Sequence, residues 1–109
     1  MTAILFLAQR ASAAVLALAV AVHLATILYA VRGGLTAADI LGRTRGNIAF
    51  LIFYGLFVIA VAIHAPIGLR NIFREWTRWR GATLDATLVL FALALLGLGT
   101  RAVVAVFIS

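Results

Sequence analysis

Two histidines are the residues of this chain best suited to chemistry, because each lies within a long uncharged run. His23 lies in residues 11–31, and His64 lies in residues 46–69. An ionisable side chain inside an apolar segment is costly to bury and therefore marks a candidate functional site. Imidazole is a common axial ligand of haem iron, so both histidines are candidate metal ligands. The alternative for each is a neutral histidine that hydrogen-bonds a neighbouring helix and binds no cofactor.

Most other kinds of chemistry lack the residues that they need. The chain has no cysteine, which excludes disulfides, thiolate metal sites and iron–sulfur clusters bound by this chain. The sequence also offers no carboxylate pair, no nucleophile with a neighbouring base and no glycine-rich phosphate loop followed by lysine. We therefore expect the chain to be non-catalytic by itself.

Composition indicates an integral membrane protein. Of the 109 residues, 66% are hydrophobic and 11% are charged, whereas a soluble domain is about half apolar and a quarter charged. So much apolar surface cannot be hidden inside a small globule. The net charge of +6 comes from arginines that flank the apolar runs, which argues against a nucleic-acid-binding surface. We interpret residues 1–109 as one membrane domain.

The apolar runs predict three membrane-spanning helices and hence an all-α fold. A helix needs about 20 residues to cross some 30 Å of hydrocarbon, and backbone groups in lipid must be hydrogen-bonded within their own segment. The third span requires Asp85 to lie at one headgroup layer while Arg101 extends toward the other. Between the first two spans, Thr36 and Asp39 predict a short N-capped helix. The predicted spans cover residues 4–31, 46–73 and 82–107.

The arginines predict the orientation, since cytoplasmic flanks carry more positive charge. One side holds five arginines and the other holds four, which places the N-terminus and the loop 70–81 in the cytoplasm. The chain is then a multi-pass protein of the cell inner membrane. The cytoplasmic group is Arg10, Arg70, Arg74, Arg78 and Arg80. The outer group is Arg32, Arg43, Arg45 and Arg101.

Helical spacing predicts what lies beside each histidine. Phe57, His64 and Gly68 fall on one face of the second span. The missing side chain at Gly68 would let a flat macrocycle approach the helix, although close packing of two helices explains a glycine equally well. His23 lies on a face of mostly small residues. That face consists of Ser12, Leu16, Ala19, His23, Thr26 and Ala30.

Depth separates the two histidines. At 1.5 Å per residue, His64 lies about 9 Å from Arg70, and His23 lies about 20 Å from Arg10. Two side chains at different levels of one chain are unsuited to binding the same iron. Each histidine therefore predicts half of a bis-histidine site, with the second ligand supplied by another subunit.

Two motifs resemble the membrane-anchor family of succinate dehydrogenase and fumarate reductase. Gln-Arg-Ala-Ser-Ala at 9–13 resembles the Arg-x-Ser/Thr signature that opens the first helix of that family. Residues 63–70 resemble its His-x-x-x-Gly-(Ile/Leu/Met)-Arg element, and Glu-Trp at 75–76 resembles its acidic–aromatic end. With the three-helix layout, the resemblance covers nearly the whole chain.

The resemblance implies an electron-transfer anchor that binds haem b and quinone. Such a subunit docks an Fe–S subunit and a flavoprotein and pairs with a second anchor or with a copy of itself. One or two haems per anchor pair are implied, with His64 as an axial ligand and His23 as the ligand of a second, outer haem. The implied cofactor contacts are His64, His23, Arg10, Gly68 and Arg70.

The same resemblance implies a quinone site near the Fe–S docking surface. Trp76 stands where some members have a quinone-bonding tyrosine, beside Glu75 in place of aspartate. Phe6 occupies the place of the family's upstream serine, which leaves Ser12 as the substitute. The implied quinone contacts are Arg10, Ser12, Glu75 and Trp76.

A second function remains open. A cofactor-free structural subunit of a larger membrane complex would explain the small size and the small-residue helix faces. It would leave the two membrane histidines without a role.

Overall fold

The computed structural model describes residues 2–109 and is all-helical in this range. Three of its helices are long and apolar enough to cross a membrane, which confirms the predicted all-α, three-span membrane fold. Each long helix begins and ends within three residues of its predicted range. The helices are α1 Ala3–Gly33, α2 Ala37–Thr44, α3 Ile48–Trp76 and α4 Ala82–Ile108.

The short helix α2 begins with the predicted cap. Thr36 Oγ1 accepts a hydrogen bond from the Asp39 backbone N–H at 3.1 Å, and Asp39 Oδ2 accepts one from the Thr36 backbone N–H at 3.2 Å. The Thr36 hydroxyl also donates to this carboxylate, and these hydrogen bonds, together with Arg43, lower the pKa of Asp39. Gly34 precedes the cap at φ +116°, and a side chain there would collide with Asp39. The turn between α1 and α2 therefore requires glycine.

Helix α3 is the centre of the bundle, and it packs against both α1 and α4. The three spans alternate in direction within a body measuring 48 × 23 × 22 Å. Its buried apolar residues are few, because most apolar side chains face outward, where lipid would cover them. The fully or nearly buried apolar residues are Ala19, Ala60, Pro66, Leu84 and Leu88.

Polar contacts hold α4 at both of its ends. At the first end, Arg70 Nε donates to Asp85 Oδ1 at 3.1 Å, so the carboxylate predicted to face headgroups pairs with α3. At the other end, the Thr44 hydroxyl donates to the Val106 carbonyl at 2.9 Å, and the Gly46 N–H donates to the Phe107 carbonyl at 2.9 Å. These two bonds satisfy carbonyls at the end of α4 that have no partner within the helix.

Helix α3 continues past the membrane edge into the segment expected to be a loop. The predicted loop 70–81 shortens to 77–81, and Arg70 and Arg74 lie on the helix. No proline or glycine interrupts residues 69–76, so the helix ends only at Thr77. Arg80 then folds back and donates to the carbonyls of Thr77 and Arg74.

Two glycines of α4 have different surroundings although they are only two residues apart. A Cβ atom built on Gly99 lies 2.7 Å from Val58 Cγ1 of α3, whereas one built on Gly97 has no neighbour within 4 Å. Gly99 therefore permits the close approach of α4 to α3, and Gly97 does not contribute to it.

Substituting these two glycines should distinguish the effect of helix packing on the unfolding free energy from the effect of helix propensity. Gly99→Ala should lower the unfolding free energy by about 1–3 kcal/mol, because the added methyl overpacks the α3–α4 contact. Gly97→Ala should be neutral or stabilising by up to about 1 kcal/mol, because alanine favours the helix. Unfolding in mixed micelles with increasing sodium dodecyl sulfate, followed by circular dichroism, measures both. Equal destabilisation by the two variants would contradict this packing.

Candidate functional site

The antiparallel register of α1 on α3 places each membrane histidine opposite a hydroxyl of the other helix. Ser12 Oγ lies 3.4 Å from His64 Nδ1, and Tyr54 Oη lies 2.8 Å from His23 Nδ1. We call the Ser12–His64 pair the proximal level, because it lies near the end that carries Arg70. The His23–Tyr54 pair is the distal level. Both histidines are half-buried.

The hydrogen bonds of the proximal level define the proton position on His64. Ser12 is buried, and its hydroxyl donates to the Gln9 carbonyl at 3.1 Å. A serine hydroxyl has one proton, so toward His64 the oxygen acts as an acceptor. With the serine proton directed to Gln9, His64 would donate from Nδ1–H, and its Nε2 lone pair would then be available. Ligating histidines are commonly held in this way, with one ring nitrogen donating and the other facing the metal.

Gly68 lies one turn from His64 and faces Gln9 of α1. A Cβ atom built on Gly68 lies 3.4 Å from Gln9 Nε2, which is an ordinary van der Waals contact. The space above Gly68, which the sequence assigned to either a macrocycle or a helix, is thus occupied here by the Gln9 amide. Gln9 Oε1 is buried and has no hydrogen-bond partner within the described residues.

Aromatic rings of α3 surround His23 at the distal level. The His23 ring meets Tyr54 edge-on at a centroid distance of 5.5 Å and Phe57 at 5.6 Å. Phe50 and Phe53 contact Tyr54 at 4.4 Å and 4.9 Å. Edge-to-face contacts of this kind hold a ring in a defined orientation, so the imidazole is fixed by both packing and a hydrogen bond.

The two levels are well separated along the bundle. Ser12 and His23 are eleven residues apart on α1, which corresponds to about 16 Å at the helical rise. His64 and Tyr54 are ten residues apart on α3, or about 15 Å. The sequence prediction that the histidines occupy different depths is therefore confirmed.

The four predicted quinone contacts do not come together within this chain. Ser12 is buried between α1 and α3, with its hydroxyl engaged by Gln9 and His64. Trp76 is 82% exposed at the end of α3, and it lies about 18 Å beyond His64 by helical rise. Glu75 is also exposed.

The two predicted cofactor arginines have different surroundings. Arg10 is exposed, and its guanidinium lies 5.7 Å from the centre of the Phe6 ring, within cation–π range. Arg70 is directed to α4 through its ion pair with Asp85. Arg10 is therefore free to meet a ligand at the α1 surface, whereas Arg70 serves the contact of α3 with α4.

Sequence reasoning missed two residues of this site, Tyr54 and Gln9. Tyr54 lies three residues before Phe57, so extending the predicted His64 face by one more turn would have included it. Gln9 was noted only as part of a motif. Its contact with Gly68 depends on the register of α1 against α3, which helix periodicity within each span does not determine.

The donor set at each level fits an axial ligand of haem. Each level offers one imidazole whose Nδ1 contacts a hydroxyl, and where Nδ1 is the donor this arrangement suits coordination through Nε2. Within residues 2–109, no three His, Cys, Asp or Glu side chains converge on one point. Each level therefore holds a single histidine.

Comparison of the chain with protein-family models, with characterised proteins and with solved structures yields no match. The functional argument therefore depends on the residues of the chain and their contacts.

The proton position on His64 can be measured directly. In the full chain without added cofactor, His64 should carry its proton on Nδ1, because Ser12 can only accept from it. Ser12→Ala should remove this preference, whereas Thr87→Ala should preserve it, because the exposed Thr87 hydroxyl donates to the Thr83 carbonyl within α4. Nitrogen-15 NMR of labelled histidine distinguishes the tautomers. A wild-type signal from the Nε2–H tautomer would refute the assignment.

Proposed function

We propose that the chain is a membrane-anchor subunit that binds haem b and quinone in a complex resembling succinate dehydrogenase or fumarate reductase. In this role it passes electrons between an Fe–S/flavoprotein pair and the quinone pool, and the substrate is oxidised or reduced on the flavoprotein. One observation carries the proposal. Two histidines lie at separate depths of the α1–α3 contact, each with Nδ1 engaged by a hydroxyl of the opposite helix.

Haem b would be held by His64 at the proximal level and, where a second haem is present, by His23 at the distal level. When bound, haem supplies one-electron transfer, and quinone accepts or donates electron pairs. Ser12 would accept a hydrogen bond from Nδ1–H of His64, which would leave Nε2 to hold the haem iron. Tyr54 and Phe57 orient the His23 ring at the distal level.

A second subunit is part of the proposal, because each level supplies one imidazole. Three helices also leave most of their apolar residues outside any core. The partner would be a second anchor or a copy of this chain, and it would supply a further residue to hold each haem. A shallow apolar groove beside the distal level includes Val15, Val22 and Phe57 and has a volume of about 190 Å³. It offers a surface for such a partner.

The quinone site is proposed at the proximal end of α1 and includes Arg10. Its exposed guanidinium would donate to a quinone oxygen and stabilise the negative charge that develops there. Glu75 and Trp76 lie at the same end of the bundle, where the Fe–S and flavoprotein subunits would dock. Ser12 acts through His64 in this proposal, and Arg70 is left out of the cofactor contacts.

The proposed orientation puts this proximal end in the cytoplasm. Five arginines lie there against four at the other end, as the positive-inside rule requires for a protein of the inner membrane. The antiparallel helices support the grouping, because they bring Arg10 and the arginines of 70–80 to one end of the bundle.

The decisive experiment is a dithionite-reduced minus oxidised difference spectrum of the protein purified with its native partners. Quantification as pyridine haemochrome then counts the haems. Two haems per anchor pair would support both histidines as ligands, and one haem would support His64 alone. Absence of haem would refute haem binding and favour a cofactor-free structural subunit.

Substitutions should assign each haem to its level. His64→Ala should abolish the proximal haem, because its axial ligand is lost, and His23→Ala should abolish only the distal one. Tyr54→Phe should keep the distal haem but shift its reduction potential, since a hydrogen bond to the ligand is removed. Tyr29→Phe is the matched control, because Tyr29 is exposed and contacts Arg43. Redox titration with optical detection measures these effects. Normal haem content in His64→Ala would contradict the assignment.

Arg10 can be tested through the two partial reactions of the complex. Arg10→Ala should lower the rate of quinone reduction by about 10- to 100-fold, as expected for loss of one charged donor at a developing negative charge. Electron transfer from the flavoprotein substrate to an artificial soluble acceptor should stay near the wild-type rate. Arg78→Ala removes the same charge from the same end and should leave both rates intact. Equal loss of both rates in Arg10→Ala would indicate failed assembly and would contradict a role at quinone.

A further inference from the structure

A cleft opens between α3 and α4 at the proximal end of the bundle. It has a volume of about 380 Å³, within the range of small-molecule sites in proteins. Its walls are almost entirely apolar. Representative lining residues are Leu5, Ile63, Pro66, Arg70, Asp85 and Val89.

The charged side chains that line the cleft, Arg70 and Asp85, lie at the proximal end of the bundle. Arg70 Nε donates to Asp85, whereas Nη1 of Arg70 has no hydrogen-bond partner among residues 2–109. Nη1 is buried within the chain. An unpaired guanidinium N–H away from water is costly, so the site favours an oxygen acceptor that reaches this end of the cleft after a small movement of the side chain.

The surrounding charge favours an anion. Five arginines lie at this end of the bundle against two carboxylates, and basic pockets between membrane helices bind anionic lipid headgroups. The guanidinium fork can hold a carboxylate through Nε and a phosphate through its Nη atoms at the same time. The charged residues at this end are Arg10, Arg70, Arg74, Arg78, Arg80, Glu75 and Asp85.

The narrow apolar wall of the cleft suits a flexible hydrocarbon chain. An extended hydrocarbon chain can follow the apolar wall that descends from Arg70 past Pro66 to Ala62.

We propose that this cleft binds an anionic phospholipid, with a phosphate oxygen on the Nη groups of Arg70 and one acyl chain along α3 and α4. The site lies beside α4, whereas the haem ligands proposed above face the α1–α3 contact. Lipid binding here is therefore independent of haem, and either proposal can fail without the other.

Lipid retention measured by native mass spectrometry tests the site. The purified full chain, with any subunits that accompany it, is equilibrated in detergent with equal phosphatidylglycerol and phosphatidylcholine of identical acyl chains. The wild type should retain phosphatidylglycerol preferentially. Arg70→Gln should lower this retention roughly tenfold, equal to ~1.4 kcal/mol. Arg78→Gln removes the same charge from an exposed position and should lower it less than about threefold, because a solvated charge acts weakly at a distance.

Two further variants keep the test valid if Arg70→Gln does not fold. Asp85→Asn removes a competing negative charge and frees Arg70 Nε, so it should raise phosphatidylglycerol retention. Ala92→Phe adds a ring to the wall of the cleft without changing charge, so it should lower retention. Gel filtration and circular dichroism confirm that each variant is folded.

Three results would overturn the proposal. Equal losses in Arg70→Gln and Arg78→Gln would mean that net charge alone attracts the lipid. Equal retention of the two lipids, or displacement of phosphatidylglycerol by a neutral quinone in excess, would assign the cleft to uncharged amphiphiles. Unchanged retention in Ala92→Phe would place the acyl chain elsewhere.

Discussion

An imidazole at membrane depth needs a polar partner, and here each partner comes from the neighbouring helix. Ser12 of α1 serves His64 of α3, while Tyr54 of α3 serves His23 of α1. A shift of one residue between these antiparallel helices would separate both pairs. The two hydrogen bonds therefore favour one register, and in a low-dielectric surrounding the cost of an unsatisfied nitrogen reinforces that choice. Gln9 packed on Gly68 extends the same register by another turn.

This register gives the two histidines comparable chemistry but different neighbours. His64 contacts a serine whose hydroxyl also donates to the Gln9 backbone carbonyl. His23 is held by a phenol and surrounded by aromatic rings. A cofactor bound at either level would meet a preoriented ring nitrogen, and the surroundings of that nitrogen would tune its properties separately at each depth.

Helix α3 links the histidine levels to the charged end of the bundle. One of its faces meets α1, where both histidine contacts lie, and another meets α4, where Arg70 pairs with Asp85. The histidine contacts and the Arg70–Asp85 ion pair therefore use different side chains of α3. The large apolar exterior is the other consequence of three helices around so small a core. It belongs in lipid, since no water-soluble arrangement of this chain could cover it.

The sequence alone determined the class of fold and the identity of the two candidate ligands. Long uncharged runs admit only helices in lipid, and the rise per residue placed His23 and His64 at different depths. Their partners depended on tertiary structure. Periodicity defines a face of one helix, but it does not say which residue of another helix lies opposite. The pairing of Ser12 with His64, of Tyr54 with His23 and of Arg70 with Asp85 was decided by how the three helices pack, because only packing brings residues distant in sequence within hydrogen-bond reach.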